Sequence, residues 1–181
     1  GGPVYSLSKE GAAVVKPSRL GFSLIEEDDL LEGFKVKGVE YDSFDETWEP
    51  VWGEEASIRN NYNEMLLKLS REDGVNMNIR FRLYDDGLGF RYEFPLENKL
   101  TYFMIKEEAT EFAMTGNHTA WWIPGDYSTQ EFTPTESRLS EIRGLTALPR
   151  LNGGWPNTGF SPTGVQTALQ MKTADGLYIN I

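Results

Sequence analysis

The chain has no cysteine and a single histidine, His118. Without thiols there are no disulfides, no thiolate zinc or iron–sulfur sites and no cysteine nucleophile. One imidazole also removes His-Glu-x-x-His chemistry and any mechanism that needs a histidine pair. Cations are scarce as well: 17 Lys and Arg stand against 28 Asp and Glu, a net charge of −11 over 181 residues. Such a chain repels a phosphate backbone instead of releasing its counterions, so nucleic acid is excluded as a partner. Long apolar runs are missing too. The stretches 11–15 and 101–105 are far too short for a membrane span. Neither a Gly-x-Ser-x-Gly elbow nor a phosphate-cradling glycine loop is present.

What the chain does have is alternation. Met77, Ile79, Phe81 and Leu83 interleave with Asn78, Arg80 and Arg82, and after Tyr84-Asp85-Asp86-Gly87 the pattern resumes with Leu88, Phe90, Tyr92 and Phe94. Period 2 on both sides of an Asp-Gly pair predicts a hairpin with one wet face. Further strands are predicted at 4–8, 21–25, 34–41, 62–69, 102–106, 111–114, 120–123, 167–172 and 177–181, each bounded by Gly, Pro, Asn or Asp. No helical period lasts three turns. The segment 135–142 has cap-like residues, but Pro134 and the missing apolar stripe make it a poor helix. The Gly, Pro and Asn-rich stretch 149–164 reads as a long surface loop. At this length the pattern implies one all-β domain of packed antiparallel sheets over residues 1–181.

Candidate sites are weighed against plainer roles. The acidic clusters 26–29, Glu54-Glu55 and Glu107-Glu108 lack the spacing of a calcium loop and read as solvated charge. Asp85-Asp86 supplies turn chemistry, and His118, beside Asn117 and Thr119, reads as a loop residue. A glycosidase needs two carboxyl groups about 5–10 Å apart across the scissile bond, and abundant carboxylates alone do not establish such a pair. Two aromatic segments remain, Trp48-Glu49-Pro50-Val51-Trp52 and Trp121-Trp122-Ile123-Pro124. Indole faces stack on sugar rings, yet Trp is equally a core and interface residue; composition favours core or interface.

The same segments carry a family resemblance. The string Phe44-Asp45-Glu46-Thr47-Trp48-Glu49-Pro50-Val51-Trp52-Gly53-Glu54-Glu55 with Ile58-Arg59-Asn60-Asn61-Tyr62-Asn63-Glu64 resembles the N-terminal domain of glycoside hydrolase family 97. So do Ile79-Arg80-Phe81-Arg82-Leu83 through Pro95, Trp122-Ile123-Pro124-Gly125-Asp126-Tyr127-Ser128-Thr129-Gln130-Glu131-Phe132, Arg138-Leu139-Ser140-Glu141-Ile142-Arg143-Gly144-Leu145 and Thr163-Gly164-Val165-Gln166-Thr167-Ala168-Leu169. Within that family the strings are most similar to the α-glucosidases of gut-bacterial starch utilisation.

The resemblance implies a β-super-sandwich like galactose mutarotase, belonging to a periplasmic exo-α-glucosidase that acts on α-linked gluco-oligosaccharides of starch. It implies a catalytic (β/α)₈ barrel on the same polypeptide as partner, and a domain trimmed at both ends here, with a strand before Gly1 and a continuation after Ile181. Export signals would lie upstream. In such enzymes the barrel supplies the catalytic acid and base, so this chain holds no catalytic residue and is expected to be inactive alone. The N-terminal domain lends one Glu to a calcium ion beside the active site, and by its place in the quoted string that ligand is Glu131. One carboxylate cannot hold calcium, which takes six to eight oxygens, so the isolated chain is expected to bind it weakly. Three alternatives stand beside this reading: a carbohydrate-binding module with Trp121-Trp122 as an exposed platform, the N-terminal domain of a retaining α-galactosidase of the same family, and an active aldose epimerase. The last is disfavoured by the single histidine.

Overall fold

The computed structural model describes residues 1–126, 130–146 and 164–181. Their packing divides into two units, Gly1–Gly11 with Val15–Ala113, and Ala12–Val14 with Met114–Ile181. Among the described residues the sheets are antiparallel, and helix occurs at residues 139–146.

The first unit contains β1 (Val4–Lys9), most of β2 (Ala12–Arg19), β3 (Phe22–Ile25), β4 (Lys35–Trp48), β5 (Ile58–Ser70), β6 (Asn76–Leu83), β7 (Leu88–Glu93) and β8 (Met104–Glu108). Strands β4 to β7 form a four-stranded antiparallel meander, while β1 pairs with β2 and β3 with β8 in two-stranded sheets. The predicted hairpin is β6–β7, closed by the Tyr84 N–H donating to the Gly87 carbonyl at 2.8 Å. A two-residue turn joins β1 to β2 with both central residues in the left-handed region, Glu10 at φ 52° and Gly11 at φ 82°. That backbone matches the twist of the strands it joins.

Period 2 places Met65, Leu67 and Leu69 on the same face as Phe81, Ile79 and Met77. This face meets β1 and β3 through aromatic rings, Phe22 to Tyr92 at 4.4 Å and Tyr5 to Phe90 at 5.6 Å, which makes a sandwich of the unit. Leu20, Phe22, Leu24, Leu30, Met77 and Ile79 are buried. Two phenols are anchored by their hydroxyls: Tyr5 donates to the Glu111 carbonyl at 2.7 Å, and Tyr92 accepts the Gly21 N–H at 3.0 Å. Burial, with a smaller contribution from Tyr92, pushes the Tyr5 phenol up to about 12.

The second unit holds β9 (Thr119–Trp122), β10 (Thr135–Arg138), a 3₁₀ turn Leu139–Glu141, α1 (Ile142–Thr146), β11 (Gln170–Lys172) and β12 (Tyr178–Asn180). Its sheet has the order β10-β9-β11-β12. Ala120, Trp122, Ile142 and Met171 form its core, packed by Met114, Leu139, Leu145 and Ile179.

Several strand expectations need correction. β4 and β5 run well past 34–41 and 62–69. Residues 111–114 form no named strand, although Glu111 donates to the Arg19 carbonyl and Ala113 accepts from Lys16. β2, which contains Pro17, is absent from the predicted strands, and β10 begins one residue after Pro134. The expected loop at 149–164 lies outside the described residues except for Gly164.

Candidate functional site

Glu131 lies in the connection between β9 and β10, in irregular backbone four residues ahead of Thr135, and is exposed. Just beside it the Phe132 N–H donates to the Gln130 carbonyl at 2.9 Å, a tight local turn. Tyr127, Ser128 and Thr129 of the same string lie outside the described residues. Among the described residues no three His, Asp or Glu side chains converge as a metal site. Glu131 therefore fits calcium only as one ligand among others supplied from elsewhere, because an oxygen cage for that ion needs several carboxylates or carbonyls.

The neighbouring indoles do not form a platform. Trp122 is 2% exposed, with its Nε1–H donated to Ser137 Oγ at 3.0 Å. Trp121 points its N–H at Glu136 Oε2, also at 3.0 Å. A stacking surface needs open ring faces, so the alternative of a Trp121-Trp122 sugar platform is not built, and Trp122 takes the core role that composition favours. His118 is buried beside Thr115, 3.3 Å from its hydroxyl. It is a packed turn residue, more enclosed than a loop reading implies.

Two carboxylates of the β5–β7 strands are bridged by arginines. Glu64 bridges Arg80 and Arg82, and Glu93 bridges Arg80 and Arg91. Arg82 first, and Arg80 with it, hold Glu64 below the ordinary carboxylate range against the burial that would raise it. Arg80 does the same for Glu93. Every described carboxyl whose titration is displaced is displaced downward, Asp45, Asp73, Glu111 and Asp175 included. A glycosidase acid needs the opposite displacement. Asp29 of the first acidic cluster accepts the Leu24 N–H at 3.0 Å, so it serves turn geometry.

The unanticipated feature is the far half of the β4–β5 pair. β6 opposes β5 only from Asn63 to Ser70, so Phe44–Trp48 and Ile58–Tyr62 continue past it as a two-stranded arm. On one face of the arm Phe44 stacks on Tyr62 at 5.4 Å, Tyr62 meets Tyr84 at 5.4 Å, and the Arg82 guanidinium sits 4.4 Å over the Tyr62 ring. Trp48 and Ile58 lie cross-strand on the same face, both exposed, and Val51 and Trp52 at the tip are wholly or almost wholly exposed. On the opposite face Arg59 clasps Asp45 through two hydrogen bonds, at 2.8 and 2.6 Å.

Against known proteins, the model of the glycosyl-hydrolase 97 N-terminal family matches residues 1–181. The chain belongs to that family. Among curated relatives, a retaining alpha-galactosidase of Bacteroides thetaiotaomicron is 25% identical over 150 residues, covering 76% of this chain and 22% of its own length. Among solved structures, a family 97 enzyme from Pseudoalteromonas sp. strain K8, in complex with panose or with acarbose, superposes with a TM-score of 0.82 at 28% identity. It covers 99% of this chain, which spans 25% of that enzyme. A beta-arabinopyranosidase shares the fold at a TM-score of 0.72 and 20% identity. This family domain is thus a minor part of the enzymes it matches.

Proposed function

We propose that this chain is the non-catalytic N-terminal domain of a calcium-dependent exo-α-glucosidase acting on starch oligosaccharides. The observation that carries the reading is the family match over the whole chain, joined to the carboxylates described above. The matched enzymes are about four times longer, at 25% and 22% coverage. The displaced carboxyls of this chain are held ionised by arginine, hydroxyl or backbone donors instead of being poised to give up a proton. Bond cleavage then belongs to carboxylates on the catalytic domain of the same polypeptide. The domain braces that catalytic part, and Glu131 lends one oxygen ligand to a calcium ion. When bound, calcium supplies positive charge that orients and polarises groups at the reacting centre. What Glu131 itself contributes is a carboxylate oxygen from an exposed turn.

The glucoside reading is favoured by the solved relative, which was captured with panose and with acarbose. A second reading, a retaining α-galactosidase, is favoured by the curated relative. The full-length polypeptide that carries this chain decides between them when assayed on 4-nitrophenyl α-glucoside and α-galactoside. Hydrolysis of the glucoside, lost on calcium chelation and regained on readdition, is the expected result. A preference for the galactoside, or a rate indifferent to chelation, would overturn the proposal.

A further inference from the structure

The β4–β5 ladder carries a reversal. From the Gly38–Lys68 pair to the Trp48–Ile58 pair the register is continuous, and the one irregularity of these strands lies earlier, between Val36 and Gly38. Side chains therefore alternate between faces without interruption along this length. In the body, Met65 and Leu67 share the face that meets the core, with Val39 and Tyr41 on the same side but exposed, while Glu40, Asp42, Glu64 and Lys68 share the other with Leu66. In the arm the apolar positions change side: Asp45, Thr47, Arg59 and Asn61 continue the core-side face, and Phe44, Trp48, Ile58 and Tyr62 continue the charged face, with the Glu46–Asn60 pair between them. Since no bulge rotates the strands, the apolar face of the arm points to the side opposite the unit's core.

An isolated two-stranded ribbon is marginal in water, and an exposed apolar patch on one marks an interaction surface. We infer that the outward face of this arm, with the tip residues Val51 and Trp52, docks on the remainder of the enzyme polypeptide, at an apolar patch rimmed by basic residues. The inference rests on the reading of this chain as one domain of a longer enzyme. Charge selects the occupant. Residues 42–63 carry Asp42, Asp45, Glu46, Glu49, Glu54 and Glu55 against Arg59 alone. A second copy meeting the same face across a two-fold would set one acidic rim against another, a repulsive arrangement. A surface with basic residues around an apolar centre complements it. Such a surface has ample chain to come from, because this chain spans 25% of the solved relative.

The test is hydroxyl-radical footprinting of the full-length enzyme, read by mass spectrometry at Phe44, Trp48, Trp52 and Ile58. These side chains are expected to react at least about tenfold more slowly than in the denatured polypeptide. The protection should persist on dilution to the monomer and in the absence of oligosaccharide. Free reaction of Trp48 and Trp52 would overturn the inference. Protection lost on dilution would assign the face to a second copy, and protection seen only with panose would make it a sugar surface; both also overturn it. As a second measurement, Trp48→Ser with Ile58→Ser changes exposed positions and should raise the reactivity of Trp52 and Phe44 in the intact enzyme. An unchanged footprint in that variant contradicts docking through this face. Calcium dependence is read separately at Glu131, so failure of the metal reading and failure of the docking reading are distinguishable.

Discussion

Gly21 shows how narrowly single positions are determined. Its φ is +136°, and a Cβ built there would lie 2.2 Å from the Leu30 carbonyl oxygen. Leu30 itself is fully buried and donates its N–H to the Phe22 carbonyl at 2.8 Å, so the backbone has little room to withdraw. Gly21→Ala is expected to destabilise the domain by about 2–4 kcal/mol, measurable as a lowered urea midpoint. Arg80 is a second such residue, because it joins Glu64 on β5 to Glu93 on β7 across β6. Both carboxyls titrate below their ordinary range. A depressed folded-state pKa contributes stability that is present above the unfolded value, about 4.3 for Glu, and is lost as pH falls through the folded one. Arg80→Met should therefore be less stable than the parent at neutral pH, and the gap should narrow on acidification below about pH 4. Denaturant titrations at both ends of that range check the sign.

At the scale of elements, the legible strands were those whose alternation stays in phase. β6 and β7 keep apolar residues on one face from end to end, and the Asp-Gly turn between them fixes their pairing. β4 and β5 do not. Their apolar positions change face near Ser43 and Asn63, and a change of phase in a sequence looks like the end of a strand, which is why the expected boundaries stopped at 41 and began at 62. β2 was hidden by Pro17, whose missing N–H argues against a strand. The structure accommodates it through Ser18: the fully buried hydroxyl accepts the Ala113 N–H at 2.9 Å and donates to the Lys16 carbonyl at 2.7 Å. No local pattern announces that arrangement, since it depends on a segment about 95 residues away. Ser18→Ala should cost about 1–3 kcal/mol by leaving that N–H without its partner. Thermal unfolding of the variant is the measurement, and a loss no larger than that of an exposed Ser→Ala control would contradict the assignment.

The whole molecule was more legible than its site. Acidity, alternation and missing thiols bound the class, and long unusual strings pointed to the family that the match over residues 1–181 shows. The domain keeps its fold at 28% identity because period 2 and turn chemistry tolerate wide substitution where packing is kept. Glu131 is different. It is an exposed carboxylate in irregular backbone, with no spacing or periodicity to separate it from other acids, and only resemblance singles it out. The sugar platform failed for a related reason: Trp121 and Trp122 are adjacent in sequence, and in a strand adjacent residues face opposite sides, so one of the two had to turn inward. The role proposed for this domain is to complete a calcium site while catalysis belongs to another part of the enzyme. Its most direct test is a calcium titration of activity in the full-length enzyme with Glu131→Gln. The calcium needed for half the maximal rate is expected to rise by about tenfold or more, with much of the rate regained at excess calcium. A calcium dependence identical to that of the parent enzyme would contradict it.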